Sequence, residues 1–293
     1  MRSLLFVPAD GGSKLDKAFQ SGADAVIVDL EDSVAHDRKP QARASAAAFL
    51  KQAGGEARRP RLLVRVNGIA TGLTDADLDA VVSARPDAIM LPKAEGGASV
   101  IHADAKLAAR EAIAGLDDGH VKIVAQAFET AAGIFAAGTL AGASRRLIGL
   151  TWGPEDLSAE VGAEANRDAD GRLTEPFRLA RATCLFAAAS AQVAAIETVY
   201  VDFRNLAGLK RETEDARRDG FSARLAIHPA QVQVINEVFT PTADAVAKAN
   251  AVIAAFAAAP GAGVVAIDGV MYDQPHLARA QRLLARAAAT KGI

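Results

Sequence analysis

Six stretches of the chain carry ionisable or amide side chains at, or just past, the end of an apolar run. AVIVDLED offers Asp29, Glu31 and Asp32, RLLVRVN offers Arg65 and Asn67, and AIMLPKAE offers Lys93 and Glu95. KIVAQAFE ends in Glu129, RLIGLTWGPEDLSAE runs through Trp152 to Glu155, Asp156 and Glu160, and RLAIHP ends in His228 and Pro229. Carboxylates that converge raise one another's pKa unless a cation joins them. With one cysteine in the chain and one histidine among these run ends, such an oxygen-rich set suits Mg²⁺, which accepts one or two carboxylates and completes its octahedron with water and substrate.

Glu129 and Asp156, from consecutive runs, are the expected direct ligands, and helix capping is the alternative for either acid taken alone. Glu31 and Asp32 are expected to hold metal-bound waters, against a capping role for Asp32 with Ser33. An unpaired guanidinium at the end of a buried strand is costly, so Arg65 is expected to meet a substrate carboxylate or enolate with its two-pronged fork. The alternative for Arg65 is a salt bridge to the DLED acids. His228 fits a hydrogen-bonded structural residue better than a base, Trp152 fits packing at the mouth, and Glu155 and Glu160 fit solvent or a cap on the next helix.

These run ends need a scaffold that brings them to one place. Short apolar, β-branched runs occur at residues 3–8, 25–31, 61–67, 88–95, 122–129, 146–151, 197–202 and 224–229, each followed by a segment of helical period. Continuous apolar strands alternating with helices indicate parallel βαβ units buried on both faces. Eight such units close into a (β/α)₈ barrel, whose chemistry sits where the strand C-termini meet. An open nucleotide-binding sheet is disfavoured because PADGGSKLDKAF, after the first run, lacks a GxGxxG turn. The expectation is an α/β protein with a barrel over 1–240 and a small C-terminal segment over 241–293, made of an Ala-rich helix, a hairpin and a closing helix.

The chain has 293 residues, 51% hydrophobic and 23% charged, with a formal net charge of -2. That balance fits a globular protein and provides no basic footprint for nucleic acid. Pro260 and Gly261 break the one long apolar stretch, so no membrane span is expected. The single Cys184 excludes disulfides within the chain and fits a reducing cytoplasm.

Taken together and in order, RSLLFVPA, GADAVIVDLEDSV, RVN, LPKAE, FETAAGI, GLTWGPEDLSAEVG, GFSARLAIHPAQV and DGVMYDQP resemble the citrate lyase β-subunit-like branch of the HpcH/HpaI aldolase superfamily, which includes malyl-CoA, citramalyl-CoA and β-methylmalyl-CoA lyases. The resemblance spans residue 2 to about 285. It implies a trimeric or hexameric TIM barrel that binds Mg²⁺ and cleaves or forms a carbon–carbon bond beside a CoA thioester. It also implies Glu129 and Asp156 as metal ligands, Arg65 and Glu129 as substrate contacts, and Arg65 and Asp273 as catalytic residues. Asp273 matches the acid that a C-terminal lid brings to a neighbouring subunit; from the sequence alone it would be a turn or N-cap acid before Pro275. Ala9, Ser222-Ala223-Arg224 and Tyr272 depart from the family pattern. Two alternatives implied are a malyl-CoA-type thioesterase and a citrate lyase β-subunit working on an acyl carrier protein.

Overall fold

The structure, a computed structural model, describes residues 1–291. Eight parallel strands close into a barrel in chain order. They are β1 (Ser3–Pro8), β2 (Ala25–Asp29), β3 (Arg61–Arg65), β4 (Ala88–Leu91), β5 (Lys122–Phe128), β6 (Leu147–Trp152), β7 (Ala194–Glu197) and β8 (Ala223–Ala226). Around them run α1 (Ser13–Phe19), α2 (Lys39–Ala53), α3 (Thr74–Val81), α4 (Gly97–Ile113), α5 (Ala131–Phe135), α6 (Pro154–Val161), α7 (Glu175–Ala191), α8 (Leu206–Asp219) and α9 (Pro229–Phe239). β8 pairs back onto β1, with Arg224 opposite Ser3, so the barrel leaves no open edge.

The strands read as continuous apolar runs because they bury both faces. Leu4, Ile27, Leu63, Met90, Val124, Ile196 and Leu225 fill the barrel interior. Their neighbours along the strands, such as Val26, Leu62, Val64 and Ile89, pack outward against the helices. Cys184 lies fully buried in α7.

The seventh strand differs from expectation. It is AAIE rather than ETVYVD, so of residues 197–202 only Glu197 lies in the strand and the rest form an irregular segment after it. Alanines run from α7 straight into this strand, and the break between them is made by Gln192, whose backbone is left-handed at φ 57°. An alanine pattern carries no period that would reveal that change.

Two irregularities between β5 and β6 matter for the mouth. Ile123 pairs with Leu147 and Val124 with Gly149, so Ile148 is an extra residue; Gln126 pairs with Thr151 and Phe128 with Trp152, so Ala127 is another. Each such bulge shifts the inward–outward alternation by one position. The result sends Phe128 and Trp152 outward into the helix-facing core.

Beyond the barrel lie α10 (Ala243–Ala258), β9 (Val264–Ile267), β10 (Val270–Asp273) and α11 (Gln274–Lys291). Ala249, Val252, Phe256 and Ala280 form a separate small core there. The strands make a hairpin through Asp268-Gly269, both at positive φ (50° and 75°), the backbone a two-residue hairpin turn demands. Val265, Ile267 and Tyr272 face the two helices, while Met271 and Asp273 lie on the same strand face, opposite Ala266 and Val264. Among the described residues no helix is long and apolar enough to cross a membrane.

Candidate active site

Asp29 and Arg65 end neighbouring strands and stand opposite one another in register. Arg65 donates from Nε and Nη2 to the two carboxylate oxygens of Asp29, each at 2.7 Å, and its guanidinium lies 4.8 Å over the Phe6 ring. The fork expected to grip substrate is therefore closed on Asp29, the salt-bridge alternative. What remains is the Nη1 side, 3.0 Å from Glu31 Oε2 and 3.8 Å from Asp32 Oδ2. Burial alone would raise the Asp29 pKa, but the Arg65 hydrogen bonds and charge outweigh it and hold Asp29 low. Asp29 also accepts from the backbone of Glu31 (2.9 Å) and Ser33 (3.3 Å), so it, rather than Asp32, shapes this turn.

Lys93, just past β4, joins the acids. Its backbone is left-handed (φ 49°), which for a residue with a Cβ costs about 1–2 kcal/mol. That turn points its N–H at Glu129 Oε2, 2.8 Å away. Its ammonium lies 2.8 Å from Glu31 Oε1, 3.0 Å from Asp156 Oδ1 and 3.8 Å from Asp32 Oδ2. Burial works to lower the Lys93 pKa, and the hydrogen bond and charge of Glu31, the hydrogen bond to Asp156 and the charge of Glu129 override it and push it up. Glu31 is raised in turn, because its burial outweighs Arg65 and Lys93. Its Oε2 has no hydrogen-bond partner, since the Arg65 contact is an ion pair without hydrogen-bond alignment. The loop bearing Glu31 is pinned from behind by Lys39, whose ammonium donates to the carbonyls of Leu30 and Glu31 at 2.8 Å each.

Glu129 is 1% exposed. Its Oε1 accepts from Gln126 Nε2, and Oε2 from the Lys93 amide. It does not cap α5: Thr130 does, its hydroxyl accepting from Gly133 N at 3.0 Å. Burial first, and then the nearby Asp156 charge, push the Glu129 pKa well above the usual carboxylate value. Gly153 lets the β6–α6 turn pass this close, because a Cβ there would stand 2.6 Å from Glu129 Oε1. Asp156, in the first turn of α6, is a third exposed, and its one ion pair among the described residues is with Lys93. The structure thus brings Arg65, Glu31, Asp32, Glu129 and Asp156 to one mouth, with Lys93 as the linking cation.

The remaining expected residues fall elsewhere. Trp152 is turned out of the mouth by the β6 bulge and donates from Nε1 to Glu197 Oε1 at 2.6 Å, which corrects its reading as mouth packing. His228 caps α9 in a reciprocal box with Gln231, a structural role. Glu155 accepts from Asn166 (3.0 Å), and Glu160 accepts from Ala131 N (3.0 Å), so it serves the preceding helix rather than the next. Asp273 makes its hydrogen bonds and ion pair with His276 and with none of the mouth residues of its own chain. Tyr272 packs edge-on against His276, with ring centroids 5.3 Å apart. A hollow of about 860 Å³ between α7 and α8 contains none of the mouth carboxylates. There Arg181 is matched by Glu197 and Asp219.

Lys93, Gln126, Gly153 and His276 have no role in the sequence reading. The signals available were a lysine after a strand-ending proline, a glycine before the acidic turn, and a histidine three residues past Asp273.

The fold and mouth define an α/β-barrel enzyme whose acids and cations converge on a single small site. The profile of the HpcH/HpaI aldolase/citrate lyase family matches residues 2–229, and that of the TIM-barrel-fold C–C bond lyases matches residues 172–291. A (3S)-malyl-CoA thioesterase of Cereibacter sphaeroides is 38% identical over 291 residues, covering 98% of this chain and 95% of its own. A citrate lyase subunit beta-like protein of Mycobacterium tuberculosis is 36% identical over 283 residues, covering 97% and 94%. Among solved structures, CitE of M. tuberculosis in complex with magnesium, acetoacetate and coenzyme A superposes with a TM-score of 0.76 at 34% identity, covering 98% of both chains. The chain belongs to the HpcH/HpaI aldolase/citrate lyase family and is a carbon–carbon lyase by that membership.

Proposed function

We propose that the protein is a Mg²⁺-dependent lyase that cleaves or forms a 3-hydroxyacyl-CoA carrying a carboxylate, of the malyl-CoA or citramalyl-CoA type. The products of cleavage are acetyl- or propionyl-CoA and a 2-oxo acid such as glyoxylate or pyruvate. One observation carries this reading: a buried carboxylate, Glu129, is held near a second, Asp156, and among the described residues no cationic side chain is hydrogen-bonded to Glu129. Glu129 is an oxygen-only donor of raised basicity in a dry place, and Asp156 adds a second, partly exposed carboxylate; such a pair favours a hard cation. Among the described residues no three His, Cys, Asp or Glu form a complete cage, and two carboxylates plus water and substrate are what Mg²⁺ accepts. Glu129 and Asp156 would hold it, and Glu31 and Asp32 would hold its waters. When bound, the ion lowers the pKa of a coordinated hydroxyl and stabilises the 2-oxo acid oxygens.

The chain's own groups account for the rest. Asp29 locks Arg65 so that its positive charge sits fixed beneath the mouth, ready for the charge that grows as the bond breaks. Lys93 keeps Glu31 and Asp156 together and its amide aims Glu129. In cleavage the hydroxyl proton passes to water, the C2–C3 bond breaks, C3 becomes the carbonyl of the 2-oxo acid, and the electron pair of the broken bond passes into the thioester enolate. Asp273, having taken a proton from solvent, gives it to that carbon. By the family resemblance, residues 241–293 serve as a lid over the mouth of a neighbouring subunit in a homo-oligomer, trimer or hexamer, a reading supported by Asp273 pairing with His276 rather than with a mouth residue of its own chain. The apolar Val264 and Met271, about half exposed or more, flank it on the docking face.

A thioesterase is the second reading, favoured by the malyl-CoA thioesterase among the relatives. The deciding experiment supplies malyl-, citramalyl- and β-methylmalyl-CoA with Mg²⁺ or a chelator and scores both products. Glyoxylate or pyruvate with acyl-CoA supports the lyase; free hydroxy acid with CoA supports the thioesterase. Turnover that survives complete metal removal overturns both. Asp273→Asn is expected to lower the cleavage rate by roughly 10²-fold or more, and full rates would remove Asp273 from the mechanism.

A further inference from the structure

Asp273 ends β10 and stands immediately before α11, with Gln274, Pro275 and His276 forming the first turn. The two residues are joined three ways. His276 N donates to Asp273 Oδ1 at 3.4 Å, Asp273 N lies 3.3 Å from His276 Nδ1, and Nδ1 hydrogen-bonds to Oδ1. This resembles a capping box in which a histidine takes the place of the usual Glu or Gln at the third helical position. Unlike Glu or Gln, an imidazole nitrogen changes between donor and acceptor.

We infer that His276 is the positioning residue of Asp273, holding the carboxylate at the junction of β10 and α11 and exchanging its proton with solvent. The inference rests on the assignment of Asp273 as the proton-transferring acid. When Asp273 is ionised, a protonated Nδ1 donates to Oδ1. When Asp273 has taken a proton from the acyl-CoA carbon, its O–H donates to an unprotonated Nδ1, which also faces the Asp273 amide. Between these two states the proton of the neutral ring moves from Nδ1 to Nε2 through water; a proton then passed from Oδ1 to Nδ1 is matched by one leaving Nε2 for water, so the pair returns to its starting state with one proton moved outward.

The surroundings hold the ring in place. Tyr272 packs its edge against the imidazole. The ring lines a hollow of about 430 Å³, where Lys248 of α10 and Arg279 of α11 are the other charged groups facing it. Tyr272, where the family has a small aliphatic residue, thus packs against the partner of the acid. The His276 hydrogen bond is also the first cause of the lowered Asp273 pKa.

The test compares Asp273→Asn, His276→Ala and His276→Asn in the intact protein, scoring kcat and KM for the best thioester and the exchange of acetyl-CoA methyl hydrogens in D₂O across pH. His276→Ala should lower kcat roughly tenfold with little change in KM, and should move the acid limb of the exchange profile to higher pH. His276→Asn keeps a side-chain donor and should restore the acid limb while leaving exchange slow. If Asp273→Asn is impaired while both His276 variants keep the wild-type rate and acid limb, His276 is merely structural and the inference fails alone. If Asp273→Asn turns over normally, the assignment of the acid fails, and this inference falls with it.

Discussion

Two glutamates, Glu111 and Glu129, are buried at opposite ends of the same barrel, at 0% and 1% exposure, and their protons are held oppositely. Glu111, in α4, accepts from Gly119 N (2.9 Å), Val121 N (2.7 Å) and Arg146 Nη1 (2.7 Å). Arg146 is itself fully buried and also meets Asp104 and Asp118. Burial would raise Glu111, but these donors outweigh it and hold it low. Glu129 is raised by burial and by Asp156, and its donors are neutral amides. The N-terminal end of the barrel hydrogen-bonds its buried glutamate to a cation; in the mouth the Lys93 ammonium pairs with Glu31 and Asp156 and reaches Glu129 only as a nearby charge, too weak to offset its burial. Burial alone therefore says little about function, and the balance of donors around the buried charge says a great deal.

The sharpest break of this comparison exchanges each acid for its amide. Glu129→Gln should lose turnover by roughly 10³-fold, as several kcal/mol of charge stabilisation disappears, yet fold at least as well as wild type. Gln126 can accommodate it, since its Oε1 has no partner and a flip of its amide would accept from the new NH₂. Glu111→Gln should do the reverse, leaving Arg146 short of an anion at a cost of about 3–5 kcal/mol while kcat changes little. Urea titration and steady-state kinetics on both variants decide it. Equal stability losses at the two sites would show that the mouth is an ordinary ion-pair cluster.

A gentler test uses pH. Glu111 has a lowered folded pKa, so its contribution is present above the unfolded carboxylate value and is lost as pH falls through the folded one. Glu129 has a raised folded pKa, so stability declines as pH rises from the unfolded value toward the folded one. Glu31, also raised, adds to that decline. In metal-free protein, urea midpoints should show this fall as pH rises above the unfolded carboxylate value of about 4, with Glu129→Gln making it shallower and saturating Mg²⁺ cancelling most of it. A midpoint that climbs steadily with pH in the metal-free protein would contradict the raised pair.

The barrel was legible in the sequence because eight apolar runs separated by helices leave few other closures, and the run ends named the mouth. Glu129 and Asp156 could be paired because they follow consecutive strands. Arg65 was found, but its partner depends on register: Asp29 stands directly across from it, and nothing in RLLVRVN says so. Trp152 was misplaced because one bulge at Ile148 reverses the parity of the residues that follow it, and a bulge leaves no trace in hydrophobic pattern. The seventh strand was lost among alanines. Lys93 was visible as a charge, but its left-handed backbone, which sets what it touches, belongs to a conformation that lysine seldom signals.

That backbone yields the smallest and most local test. Lys93→Gly and Lys93→Ala both remove the ammonium from Glu31 and Asp156, and both keep the amide that aims Glu129. They differ at φ 49°, where glycine is at ease and alanine is strained. Both should lose activity about 10- to 100-fold, the usual scale for a group that orients ligands. Glycine should be the more stable by about 0.5–1 kcal/mol, its greater freedom in the unfolded chain offsetting part of the relief. Alanine should also lose additional Mg²⁺ affinity, measured by calorimetry, as its backbone relaxes and withdraws the amide from Glu129 Oε2. If the two variants bind Mg²⁺ alike and melt alike, the left-handed turn is not what aims Glu129, and the ammonium alone links the two halves of the mouth.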